Sequence, residues 1–248
     1  MKRLFSFIVA AGTCLASSAI DYTWTGNAGD GLWTSAGNWN QNVGYPRNAD
    51  DEVTFAKSAT VSLDTGAQTD VAYINVTAGD VVLTATSGSS LKINWPGYNN
   101  PSGKTGNRGI MVSEGASLDL SAPLEQFSGR VDRQGTGRLI IRDIAISKTD
   151  TESWYIFNGT NAFVGTAQVL QPNADFTVGL GNPHDKSFVL IQDSAQITAR
   201  RFSTSAGGNP VPDTKVIQDG AGTVVSVSGP LDLRNNSGND DHCYTLKN

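Results

Sequence analysis

Cysteine is almost missing: Cys14 and Cys243 are the only two in 248 residues, and the first lies in a stretch that reads as an export leader. With one thiol left, no intrachain disulfide can form, and the fold must be held by its core. Histidine is as scarce, and His184 and His242 lack the spacing of a metal site, so no metal or cofactor is expected. Helical periodicity is also absent, since no stretch carries apolar residues at i, i+3, i+4 and i+7 for three turns. Charged residues make up 17% of the chain and lean acidic, with 23 Asp and Glu against 18 Lys and Arg. That balance argues against nucleic acid and anionic membranes, which call for basic patches.

Lys2 and Arg3, an apolar run from Leu4 to Leu15, and the small residues Ser17-Ser18-Ala19 form the three parts of a signal peptide over residues 1–19. The run is shorter than the roughly 20 apolar residues a bilayer span needs, so the mature chain is expected to have no transmembrane segment. Ala11-Gly12-Thr13 before Cys14 is a poor lipid-attachment approach. Residues 20–248 carry a formal charge of −7 and are long enough to bury a sizeable core.

What is present is a cadence of an apolar residue, a polar one, a variable one, a small one and Ala. It recurs at Ile74–Ala78, Val112–Ala116, Ile141–Ala145, Leu170–Ala174, Ile191–Ala195 and Ile217–Ala221, at intervals of 38, 29, 29, 21 and 26 residues. Self-similarity at 20 to 50 residues marks stacked supersecondary units. Alternation in Ser117-Leu118-Asp119-Leu120, Asp175-Phe176-Thr177-Val178 and Val225-Ser226-Val227, with turn signals at Asn158-Gly159 and Asp219-Gly220, reads as strands. The expected fold is all-β, a right-handed parallel β-helix (solenoid) in which six repeats stack to about 30 Å. A β-sandwich is the alternative, because many short strands with turn signals fit it too.

Residues 22–55 carry Trp24-Thr25-Gly26, Trp33, Asn38-Trp39, Pro46 and an Asp51-Glu52-Val53-Thr54-Phe55 strand. This segment resembles the opening of secreted bacterial β-solenoid proteins of the autotransporter-associated β-strand and PEP-CTERM-associated kind. Val216–Leu246 is similar to a repeat of the same proteins, while the middle matches only by its cadence. The resemblance implies a Trp-rich cap over residues 20–60, solenoid repeats over 61–248, and export to the medium or outer surface of a Gram-negative cell. Family members often run longer and finish in a sorting segment or a barrel; the stop at Asn248 suggests a shortened member.

Chemical motifs are few. Asp64-Thr65-Gly66-Ala67 resembles the active-site turn of aspartic proteases, a chemistry that needs a second carboxylate facing the first, for which Asp193 is the loose candidate. The competing reading is a plain turn. Gly103-Lys104-Thr105 misses P-loop spacing, Ser89-Ser90-Leu91-Lys92 sits on a strand pattern rather than a helix, and Asp50-Asp51-Glu52 and Asp240-Asp241 read as solvated acidic turns. Arg130, Arg133, Arg138 and Arg142 with Asp132 and Asp143 read as a surface ion-pair ladder, with an acidic-glycan groove as the alternative. The sequons at Asn75, Asn158 and Asn235 are expected by chance.

Trp24, Trp33 and Trp39 either close the first coil or, with Tyr98, offer flat faces to sugar rings. The functional expectation is a non-enzymatic structural or adhesin-like surface protein. Alternatives are a carbohydrate-binding module through Trp24, Trp33, Trp39 and Tyr98, or an acid protease using Asp64. Expected partners are glycans or other envelope proteins, and a second copy through a C-terminal edge beside Cys243.

Overall fold

The structure is a computed structural model that describes residues 20–93, 109–124, 131–147, 154–156, 158–179, 186–204, 214–233 and 244–247. Every ladder joining its named strands is parallel, and its one helical element is the three-residue 3-10 turn Ala36–Asn38. Parallel pairing cannot come from hairpins, which join antiparallel neighbours. It distinguishes this chain from a sandwich of antiparallel sheets.

Successive segments visit three ladders in a repeating order. Strand Glu52–Phe55 lies on the first, Ala59–Leu63 on the second and Gln68–Val71 on the third. The chain then returns to the first at Tyr73–Val76, paired in register with Glu52–Phe55, and repeats the circuit through Asp80–Ala85 and Ser90–Ile93. Further along, the third and first ladders run together in single bent strands: Gln168–Val178 pairs with Gln196–Ser203 across a register shift between Gln171 and Asp175. A bulge bends a strand while keeping pairing on either side. Each circuit adds one rung.

The registers give the length of a rung. Glu52 partners Tyr73, Leu118 partners Leu139, and Leu139 partners Asn161, steps of 21, 21 and 22 residues. Other steps are longer, 36 residues from Tyr73 to Gly109 and 37 from Val81 to Leu118. The cadence read from the sequence is therefore not the rung. Ile74 and Val112 lie on the first ladder, Ile141, Ile191 and Ile217 on the second, and Leu170 on the third. The second sheet holds eight described strands rather than six, a stack of about 34 Å at about 4.8 Å per strand.

Alternation decides which side chains fill the interior. On the second ladder Val81, Leu118 and Leu139 line up, as do Leu83, Leu120, Ile141, Phe163 and Ile191, and all are buried. The intervening Ser117, Asp119 and Arg142 face outward. Phe176 and Phe202, one rung apart on the first ladder, stack with centroids at 5.4 Å and planes 13° apart. Aliphatic and aromatic rows running through successive rungs supply the burial that holds the rungs together.

Candidate functional site

The N-terminal end is built around three indoles. Trp24 and Trp39 form an antiparallel bridge, and Trp39 meets Trp24 edge-on at 5.0 Å and Trp33 at 4.9 Å, with Phe55 at 6.2 Å. Trp33 Nε1 donates to the Pro46 carbonyl and Trp39 Nε1 to the Trp33 carbonyl, each at 2.8 Å. The three rings are 5%, 0% and 1% exposed, so they occupy each other's faces and leave none for a sugar. Of the proposed platform, Trp24, Trp33 and Trp39 are core residues; Tyr98 lies outside the described residues.

Beside this cluster is an open recess of about 300 Å³, lined by Thr25, Asn27, Ala28, Gly37, Asn40, Asn42 and the margin of Trp39. Its lining is uncharged, with amides and a hydroxyl. A second recess of about 420 Å³ lies where Glu114, Thr136, Gly159, Thr160, Lys186 and Phe188 meet.

Asp64 does not stand free on its turn. Its Oδ1 accepts from the Thr34 amide at 3.0 Å and its Oδ2 from the Thr34 hydroxyl at 2.6 Å. It thereby fastens the segment before the 3-10 turn onto the second ladder, helped by Trp33 N donating to Ser62 O at 2.9 Å. Asp193 follows strand Ser187–Gln192, five strands along the same sheet from Ala59–Leu63, or about 24 Å away. Two carboxylates so far apart cannot share a proton. Asp193 instead turns a corner at φ +62° and accepts from the Gly165 amide at 3.0 Å. Asp143, at φ +55°, turns a corner two rungs earlier, accepting from the Thr166 amide at 2.8 Å.

Two groups expected at the surface are inside. Asp51 is fully buried, not a solvated turn: its carboxylate accepts from the amides of Arg47 at 3.0 Å and Asn48 at 2.9 Å and from Asn48 Nδ2 at 3.1 Å. Arg133 is fully buried too, in the inward row between Ile110 and Ile156. Its Nε donates to Asn161 Oδ1 at 2.9 Å, and its terminal nitrogens donate to the carbonyls of Gly135 at 2.6 Å, Gly137 at 2.7 Å and Gln134. Burial lowers its pKa to about 10. The expected ladder of surface pairs shrinks accordingly: Arg142 pairs with Asp119 at 2.9 Å, Arg138 is exposed, Asp132 is buried, and Arg130 lies outside the described residues. An Arg-lined groove for acidic glycans loses its central member.

Cys14, Cys243, His184, His242, Gly103-Lys104-Thr105 and Asp240-Asp241 also lie outside the described residues. Among the described residues no three His, Cys, Asp or Glu side chains are placed to hold a metal ion, and no helix is long and apolar enough to cross a membrane. Sequence reasoning missed the Arg133–Asn161 pair and the recess beside Trp39. No protein-family model matches this chain, and no curated protein or solved structure matches it.

Proposed function

We propose that this chain is an exported, right-handed parallel β-helix that serves as a non-enzymatic structural or adhesin-like element at the surface of a Gram-negative cell, of the autotransporter-associated β-strand or PEP-CTERM-associated kind. The observation that carries the reading is the use made of the reactive side chains. Asp64, Asp193, Asp143, Asp51 and Arg133 each hold backbone groups of their own or a neighbouring rung. A three-ladder winding with a continuous apolar interior produces an elongated body with broad outer faces, suited to reach and display. The signal-peptide pattern of residues 1–19 and the tryptophan motifs of residues 22–55 support the location.

The test is fractionation of cells making the full chain, with protease added outside intact cells, alongside an adhesion or autoaggregation assay of a deletion strain. Recovery in the medium or in the protease-accessible surface fraction, with reduced adhesion on deletion, is the expected result. A cytoplasmic pool protected from protease would overturn the location, and unchanged adhesion the role. Small-angle scattering checks the shape: a compact, near-spherical particle would sink the β-helix.

A glycan-binding reading is favoured by one observation, the uncharged recess of Asn27, Asn40, Asn42 and Thr25 beside Trp39. Amides and hydroxyls are the groups that recognise neutral sugars. A glycan array that lights up with the wild type and goes dark with Asn27→Ala and Asn42→Ala supports it, and a blank array removes it.

A further inference from the structure

Alternation leaves one aromatic side chain facing outward on the second ladder. Its inward rows hold Leu139, Ile141, Phe163, Val189 and Ile191, whereas one outward row runs in register through Asp80, Ser117, Arg138, Thr160, Phe188 and Lys215. Every other member of that row is charged or carries a hydroxyl. The interior rings of Trp154, Phe163, Phe176 and Phe202 pack against one another, but among the described residues Phe188 touches no other ring and is only partly buried. A residue that breaks the pattern of its strand without serving the core marks a place where function overrides folding.

The Phe188 ring lines the recess of about 420 Å³, a volume within the range of ligand sites. The other lining residues, Glu114, Thr136, Gly159, Thr160 and Lys186, stand at or near the starts of four successive strands of one sheet, Ser117–Leu120, Arg138–Arg142, Gly159–Val164 and Ser187–Gln192. The recess therefore runs along the stack, over three strand spacings or about 14 Å. Two cations adjoin it through the registers: Arg138 is the partner of Thr160, and Lys215 the partner of Phe188. Arg138, Lys186 and Lys215 are all exposed. Set against Glu114, these three cations make the recess and its margin locally positive on a chain with a net charge of −5.

We propose that this recess binds a carboxylate-bearing sugar within an acidic polysaccharide. The apolar face of the sugar ring stacks on Phe188, and its carboxylate is taken by Arg138 with Lys186 and Lys215 around it. Thr136, Thr160 and Glu114 supply hydroxyl and carboxylate partners for the sugar hydroxyls along the remaining length. A ring face, hydroxyls and unlike charges at one place distinguish this recess from the uncharged one beside Trp39, which offers amides to neutral sugars. Of the arginine row expected from the sequence it uses Arg138 alone, so the burial of Arg133 does not weaken it. A polysaccharide outside the cell meets this face only if the chain is exported, so the biological use rests on the surface location proposed above. The two fail separately, because fractionation decides the location and purified protein decides the binding.

Calorimetric titration of the purified full chain with oligomers of galacturonate, of mannuronate and of hyaluronan tests it, with the carboxyl-reduced form of each as the neutral counterpart. At least one acidic oligomer is expected to bind, with affinity reduced about tenfold or more by carboxyl reduction, by Phe188→Ala and by Arg138→Gln, all with the wild-type circular dichroism spectrum. Asn42→Ala, in the other recess, should leave that affinity unchanged. No binding to any acidic oligomer, equal binding to the reduced forms, or binding that survives Phe188→Ala would each overturn the proposal, the last by showing a diffuse ionic contact in place of a site. Loss in Asn42→Ala with Phe188→Ala unaffected would overturn it in favour of the recess beside Trp39.

Discussion

Arg133 Nε donates to Asn161 Oδ1 at 2.9 Å across the interior, although each residue occupies a place in a row of otherwise apolar neighbours. Asn161 donates in turn to the Gly159 carbonyl at 3.0 Å. The guanidinium thus collects the carbonyls of a tight turn around Gly135 and Gly137, of which the Gly137 oxygen also accepts from the Thr160 amide at 3.1 Å. Removing one partner leaves buried acceptors without donors, which costs more than the bonds themselves contribute. Arg133→Ala should destabilise by about 1–3 kcal/mol through the acceptors it leaves without a donor. If the pair is coupled, the Arg133→Met, Asn161→Leu double variant should lose less than the sum of the singles, as measured by chemical denaturation.

The indole cluster should behave as core. Trp39→Ala is expected to cost about 3–5 kcal/mol, and acrylamide should quench the tryptophan emission of a Trp95→Phe variant poorly. Strong quenching that is relieved by an added polysaccharide would restore the stacking-platform reading.

Gly159 and Gly29 both hold positive φ, at +77°, but only Gly159 is pressed by the neighbouring rung: a Cβ there would lie 2.4 Å from the Gly137 carbonyl oxygen, whereas one at Gly29 meets nothing within 4 Å. Both alanine variants carry the left-handed strain of about 1–2 kcal/mol. Gly159→Ala should lose substantially more stability, and the difference reports how closely rungs pack. Equal losses would show that the rungs can separate locally.

Asp64→Ala should remove the two acceptors of Thr34 and cost about 1–3 kcal/mol. Limited proteolysis should then cut faster between residues 30 and 50, while Asp64→Asn, which keeps a carbonyl acceptor, should be nearer wild type. Any acid-pH proteolysis in a preparation should be the same in all three.

Alkaline pH separates two opposing effects. Burial raises the pKa of Tyr73 and of Tyr22, each helped by a nearby carboxylate, and pushes that of Tyr244 to about 12. Because the folded form resists ionising them, their contribution is complete below pH 10 and is lost as pH rises through their folded values. Arg133 runs the other way: its folded pKa is depressed to about 10, so above that pH the unfolded chain holds the proton more tightly and stability gains. The denaturation midpoint should fall as pH rises from 10 toward about 12, less steeply in Tyr244→Phe and more steeply in Arg133→Met.

Strand alternation made the all-β class readable, because period-two patterning places Leu118, Leu120, Phe176 and Val178 inside, where the structure buries them, although Thr177 between the last two is buried as well. The rung length was hidden. Corners on all three ladders need similar chemistry, so a motif matched by type jumps between ladders and its intervals mix two distances. Arg133 was read as surface because of its residue type, yet it stands two positions after an apolar residue in an alternating run and precedes Gly135 and Gly137, a turn that offers carbonyls. Parity gave the available signal. Asp51 was hidden in an acidic run, although Asn48 three positions earlier has the spacing of a side chain closing its own turn. Whether the tryptophans stack outward or pack inward depends on tertiary contacts with Phe55 and Pro46, which composition does not encode.

A step of 21 residues and a step of 37 each raise the stack by a single strand spacing. Chain length and height are therefore uncoupled. Extra residues leave the described registers above and below unchanged, so the molecule's reach and the length of chain spent on each rung can change independently. A peptide inserted within the step from Val81 to Leu118 should lengthen the chain without adding to the height of the stack.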